Sequence, residues 1–385
     1  MKTWPDRMCS ADDEVHFGLL RRGCHWLAVF AQPVLFFHQL REISCAAILI
    51  GLLTIAAAPV QAAPGPSDHV VDEAIVKALR YLARQQLHSG GWKLSGTQET
   101  TSGTSLAVMA FLAAGHTPGE GPYGEAIVRG VQFVIDHQDA SGLLYVNRGH
   151  QGPMYDHGIS TLMLAEVSGM VPERMAAPTR KALERAIRLI LASQMVPKPA
   201  NQRGGWRYTP QSTDSDLSVT GWQLLALRAA KDIGCDVPAE NIDMAVDYVK
   251  RCSPNTGRGF GYQPGNGATP VLSATGMLAL QLCGQEESAE VHRAAEYLEF
   301  RPLRLQDQWY YYGIYYTSVG MFKRGGDSWK NTRPILFADI LSHQSAEGQW
   351  ETSNGNEAIG GPVYMTSMAV LALTVEYEYL PIYQR

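Results

Sequence analysis

The stretch Gln202–Leu227, QRGGWRYTPQSTDSDLSVTGWQLLAL, holds the key to the fold. A glycine pair and Trp206 lead into Asp214 and Asp216, one residue apart, and then an apolar segment begins. Glycine adopts positive φ without strain and lets another backbone approach closely. A tryptophan placed there can wedge between helices while its one N–H finds an acceptor. Asp216 directly precedes LSVTGWQLLAL and suits an N-cap, and Asp214 suits an Asx-type turn. The stretch therefore reads as a tight turn delivering an aromatic wedge and starting a buried helix. Two roles for the aspartates stay open: capping alone, or an acid that does chemistry at a helix start.

The same pattern recurs about every 50 residues beyond residue 66. The turns read QQLHSGGW (to Trp92), HQDASGLLY (to Tyr145), SQMVPKPANQRGGW (to Trp206), CSPNTGRGFGY (to Tyr262), FRPLRLQDQW (to Trp309) and HQSAEGQW (to Trp350). The fifth lacks its glycines. Segments after the turns, such as TSLAVMAFLAAG and YMTSMAVLALTV, are apolar on nearly every face, which predicts buried helices. Segments before them are amphipathic, as where Ile75, Leu79 and Leu82 form one stripe. Gln86, Gln194 and Gln344, upstream of the glycines, are placed to bond exposed helix-end groups. Six alternating pairs predict an all-α (α/α)6 toroid over residues 64–385, with inner and outer helices and no strand. Closing such a ring gives every repeat two neighbours.

Composition is consistent with this. The 385 residues carry a net charge of -5 and are 45% hydrophobic, with no basic cluster, so nucleic acid is not an expected partner. Residues 1–63 form a separate N-terminal extension. An apolar run at 43–58 is followed by small residues at Val60-Gln61-Ala62, the pattern of a secretory signal or an anchor. Export, with a peripheral membrane contact through that run, is the expectation. Cys235 and Cys252 are the one pair for which a bridge is conceivable, and spacing alone does not decide it.

All inner helices begin on the same side of the ring, so their first residues converge around one end of a central hollow. The candidates are Thr101, Thr104, Asp156, His157, Asp214, Asp216, Asn266, Thr269, Tyr311, Tyr312, Tyr315, Tyr316 and Tyr364. The helix-end glutamine, the Gly-x-Trp turn and the apolar inner helix, repeated along residues 67–380, resemble the QW-type prenyltransferase/squalene oxidase repeats. Squalene and terpene cyclases and protein prenyltransferase β-subunits share that pattern. In cyclases of this kind, a D-x-D-D motif at an inner-helix start protonates an alkene or epoxide. The resemblance places Asp214-Ser215-Asp216-Leu217 on that motif, with Asp216 as the donor and leucine where the last aspartate belongs. It further implies Asp214, His157 and Asp156 as neighbours of the acid. Tyr311, Tyr312 and Tyr315, with Trp222 and Tyr364, would form an aromatic lining for an isoprenoid. Zinc ligation by Asp156, His157 and Asp216 is chemically conceivable, but an isolated His–Asp pair is more often simply hydrogen-bonded, and no metal or cofactor is expected.

Three functions fit these residues. The first is a terpene-cyclase-like toroid that binds, and isomerises by acid-initiated carbocation chemistry, an isoprenoid in its cavity. The second is a non-catalytic exported toroid that binds a lipid or a protein partner. The third is a secreted polysaccharide-active barrel using Asp156 and Asp216 as paired carboxylates. A closed apolar cavity would favour the first, a filled one the second, and an open polar groove the third.

Overall fold

The computed structural model describes residues 65–384, apart from 97, 147–151, 255–256 and 354. The N-terminal extension, and with it the signal or anchor, lies outside the described residues. Among those described, no helix is long and apolar enough to cross a membrane.

Among the described residues twelve α-helices follow one another: α1 (Asp68–Gln85), α2 (Thr101–Ala113), α3 (Gly124–Asp136), α4 (Pro153–Val167), α5 (Glu173–Gln194), α6 (Leu217–Asp232), α7 (Ala239–Arg251), α8 (Pro270–Gln281), α9 (Ala289–Phe300), α10 (Tyr310–Arg324), α11 (Gly326–Ser342) and α12 (Gly361–Leu373). The even-numbered helices are buried on almost all faces and the odd-numbered ones on one. The inner helices pack in the cyclic order α2, α4, α6, α8, α10, α12 and back to α2. The chain is an (α/α)6 toroid. Among the described residues, an all-helical reading is departed from by a minimal pairing of β1 (Trp92–Lys93) with β2 (Glu99–Thr100) in the first turn. Equivalent single bridges join Trp206 to Asp216 and Phe260 to Thr269.

The turns show why the repeated residues are needed. Gln86 Nε2 donates to Gly90 O in its own turn at 2.9 Å and to Ala126 O of the next outer helix at 2.8 Å. Gln138 bonds Gly142 O and Ala182 O in the same way, and Gln194 bonds Gly204 O and Asn241 O. Gln344 bonds Gly348 O and, at 2.8 Å, Ala74 O in α1. The last repeat is thus tied to the first by the bond used inside the ring, which is what closure requires. The wedges are equally regular. The indole N–H groups of Trp92, Trp206 and Trp350 donate to Leu82 O, Ile190 O and Ile340 O at 2.7–2.8 Å. Their backbone N–H groups reach Thr104, Thr220 and Thr366 hydroxyls on the inner helices.

Three wedge assignments need correcting. In the second turn the buried wedge is Leu144, not Tyr145, and in the fourth it is Phe260, not Tyr262. The residue required is the one that pairs back towards the inner helix, whatever its chemistry. In the fifth, Trp309 sits at φ 62 ahead of α10, only partly buried, and Leu303 packs against Gly313 instead.

The axis is filled. Trp222 from α6 stacks on Tyr315 from α10, ring centroids 5.7 Å apart and 7° from parallel. Tyr316 meets Trp222 edge-on at 5.5 Å. From the end where the inner helices finish, the C-terminal segment returns across the ring. Leu380, Ile382 and Tyr383 are buried there; Ile382 N–H donates to Glu166 Oε2 at 3.2 Å, and the Tyr383 and Tyr315 hydroxyls bond one another. Cys235 and Cys252 are both buried free thiols, so the conceivable bridge between them is not formed.

Candidate functional site

The site lies where the inner helices begin. Asp216 is the N-cap of α6, with its Oδ1 accepting from Val219 N–H at 2.9 Å and from the Ser218 hydroxyl at 2.6 Å. Because Ser218 spends its proton on Asp216, the Tyr155 hydroxyl of α4 must donate to Ser218 Oγ, 2.6 Å away. The Tyr312 hydroxyl of α10 crosses the ring to Ser218 O at 3.1 Å. Three inner helices are thereby tied at one serine.

Asp216 itself is wholly buried, and its Oδ2 accepts no hydrogen bond. Burial pushes its carboxyl up to about 6, against the opposing pull of Ser218, Val219 N–H, Arg207 and the Tyr262 hydroxyl. Arg207 Nε stands 4.0 Å from Oδ2, while Nη1 pairs with the half-exposed Asp214 at 2.5 Å. The guanidinium also lies over the rings of Tyr208 and Tyr262, 5.0 and 5.7 Å from their centroids. Asp216 thus has a held oxygen and a free one, the free one near a cation, under partly exposed tyrosines. A proton on this acid would sit on Oδ2.

The other predicted residues divide. Asp156 stands on the adjoining inner helix and serves that interface. Its Oδ1 accepts from the Ser102 hydroxyl at 2.7 Å, from Ser102 N–H at 3.2 Å and from Thr101 Oγ1 at 3.4 Å. His157 is not a neighbour of the acid. It is fully buried, with Nδ1 accepting from Leu144 N–H at 3.1 Å and Nε2 facing Ala186 O at 3.1 Å. It replaces the threonine or serine that receives the wedge N–H in four other repeats, and burial lowers its imidazole to about 4. Asp214 pairs with Arg207, not with Asp216. Trp222 and Tyr315 fill the hollow rather than line it, because stacking aromatics across the axis buries more surface than leaving a void. Tyr311 packs edge-on against Tyr310, whose hydroxyl donates to Asp339 of α11, away from the axis. Of the predicted aromatic lining, Tyr312 and Tyr364 stand at the end where the inner helices begin, the mouth of the ring.

Glu357, in a short 3₁₀ segment ahead of α12, does not stand out in the sequence. It is buried, accepts from Tyr312 N–H at 3.1 Å and from the Tyr364 hydroxyl at 3.4 Å, and burial raises its carboxyl to about 7. Tyr155, Tyr208, Tyr262 and Arg207 escape a motif-based reading too. The signal for Arg207 is local: Asp216 N–H pairs with Trp206 O, folding the turn so that residue 207 faces both aspartates. Among the described residues, no three His, Cys, Asp or Glu side chains group as metal ligands.

The sequence matches no family model and no curated protein. Solved structures do resemble it. The type II terpene cyclase MstE from Scytonema, in a form complexed with its substrate geranylgeranyl dihydroxybenzoate, superposes with a TM-score of 0.52 at 13% identity, over 82% of this chain and 98% of that one. The α-1,6-mannanase GH76A of Salegentibacter sp. HEL1_6 superposes with a TM-score of 0.58 at 9% identity, over 80% and 99%. A glycosidase gives 0.55 at 12%, over 82% and 100%. At such identities the likeness is one of fold. It sets the chain among (α/α)6 toroids, an architecture that carries cyclases and glycosidases alike.

Proposed function

We propose that the protein is a ligand-binding toroid that takes an amphipathic isoprenoid or lipid at its tyrosine-lined mouth and does not cyclise it inside the ring. One observation carries this reading: Trp222 and Tyr316 are 0% exposed and Tyr315 1%, so nothing as large as a water molecule fits beside them. An acid that protonates an alkene needs that alkene against its proton, and Asp216 Oδ2 is shut in. Tyr155, Tyr208, Tyr262 and Tyr364, each partly exposed as a residue, would offer an apolar chain their rings and one polar end their hydroxyls. The proposal includes export through the 1–63 segment, which cell fractionation would check.

The test is to incubate the full chain with geranylgeraniol and with squalene, then follow binding by native mass spectrometry and products by gas chromatography. The reading expects one of these to be retained unchanged, with binding weakened about tenfold or more by Tyr155→Ala or Tyr364→Ala. A cyclised product that disappears in Asp216→Asn would overturn it.

A second reading, acid-initiated isomerisation, is supported by the free Oδ2 of Asp216 and its raised affinity for a proton. It requires Tyr312 and Trp222 to move aside when ligand arrives, and Asp216-dependent product in the same experiment is its signature.

A further inference from the structure

At the end of the ring opposite the mouth, residues 379–384 cross the opening. Up to Tyr377 the chain is fastened to the outer helices. Glu376 Oε1 accepts from Arg333 Nε and from Trp329 Nε1, each at 2.9 Å, and the Tyr377 hydroxyl donates to Asp72. Glu378 then turns the backbone at φ 52, a left-handed conformation uncommon for a residue with a side chain. Beyond it the segment runs from α12 to the far side of the ring, where the 3₁₀ turn Pro381–Tyr383 packs on α6.

The segment carries much of its own backbone pairing. Tyr383 N–H donates to Leu380 O at 3.0 Å, Gln384 N–H to Pro381 O at 3.2 Å, and Gln384 Nε2 to Glu378 O at 2.8 Å. It meets the ring through the buried side chains of Leu380, Ile382 and Tyr383, one N–H and one phenol. Ile382 N–H reaches Oε2 of Glu166, a carboxyl of α4 that is 1% exposed, and the Tyr383 hydroxyl bonds that of Tyr315 on α10. Leu380 and Tyr383 border a gap of only about 10 Å³ with Ala113 of α2 and Leu371 of α12, so the fit is close. Apolar anchors in a preformed hollow, plus a paired main-chain group, are how proteins hold a bound peptide.

We infer that this end of the ring is a peptide-binding site, filled here by the chain's own segment, and that a partner protein's segment of the same chemistry, aliphatic–Pro–aliphatic–Tyr, takes its place when residues 379–384 lift away at Glu378. The inference is independent of how the mouth functions.

A fluorescein-labelled peptide of residues 379–385, YLPIYQR, titrated by anisotropy against full-length chains, tests it. In the wild type the tethered segment competes at a millimolar effective concentration, so the peptide should bind weakly. Ile382→Gly combined with Tyr383→Gly vacates the site and should tighten binding about a hundredfold. Replacing the peptide's Pro381–Ile382 amide by an ester, which deletes the N–H that meets Glu166, should weaken binding to that variant about tenfold. Phenylalanine in place of the peptide's Tyr383 should weaken it about fivefold. If the double variant does not fold, Ile382→Ala serves instead, with a smaller gain and the same ranking of peptides. Equal binding to wild type and variant, no binding to the variant, or indifference to both peptide changes would each overturn the inference.

Discussion

Of the two roles considered for the acidic pair, capping is the one on view: Asp216 starts α6 with its side chain on Val219 N–H. It caps α6, and it does so from a site dry enough to favour its neutral form. The consequence for stability has a definite sign. A carboxyl whose folded affinity for protons exceeds its unfolded one stabilises the fold at low pH. That contribution is lost as pH rises from the ordinary value of 3.8 through about 6. Glu357 acts in the same direction between 4.5 and about 7. His157 acts oppositely, because its lowered imidazole costs stability as pH falls from 6.5 to about 4. The wild-type profile mixes these, so the informative quantity is a difference. Asp216→Asn keeps a capping oxygen and removes the charge. Its stability relative to wild type should rise between pH 4 and 6 and level off above, by on the order of 3 kcal/mol, in urea unfolding at each pH. A pH-independent difference would show that the carboxyl is ordinary. The cap was legible in the sequence because a helix start beside an aspartate has a local signature. The function of His157 was not, because its partners, Leu144 and Ala186, come from a turn and an outer helix that only the closed ring brings near.

Among the elements, the turn between outer and inner helix is the repeating device, and its parts are testable separately. Gln194 makes two bonds to carbonyls and accepts a third from Asn241 Nδ2 at 2.6 Å. Gln194→Ala leaves those groups unpaired and should cost about 2–4 kcal/mol in urea unfolding. Gly204 has φ 91, and a Cβ there would lie 2.0 Å from Met244 O on the next outer helix. Gly204→Ala should therefore cost about 3 kcal/mol or more, from strain and overpacking together. A loss under 1 kcal/mol would mean that neighbouring repeats do not meet at this glycine. The Gln, Gly and Trp positions were readable in the first, third and sixth turns because their side chains carry the interface chemistry. In the second and fourth turns the eye is drawn to tyrosines, whereas packing selects Leu144 and Phe260. Spacing from the inner-helix acceptor, not aromatic character, sets the wedge.

For the whole molecule, closure and filling are the consequential facts. Closure was legible, since six alternating pairs leave few alternatives. Filling was not: Trp222, Tyr315 and Tyr316 read equally well as lining or as plug, and only their mutual stacking across the ring distinguishes the two. The returning C-terminal segment adds a second stopper, with Leu380, Ile382 and Tyr383 each at most 6% exposed. Deleting residues 379–385 should remove about 5 kcal/mol of apolar burial and lower the urea midpoint accordingly. An unchanged midpoint would show that the segment does not seat in the ring.

Filling is the ground on which we propose a ligand at the mouth rather than in the ring, and xenon under pressure in crystals tests it most directly, since the gas occupies apolar voids without needing polar contacts. The wild type should show no xenon between Trp222, Tyr315 and Tyr316, while Trp222→Ala should bind it there. Xenon on the axis of the wild-type ring would contradict the account and return the hollow to the isoprenoid.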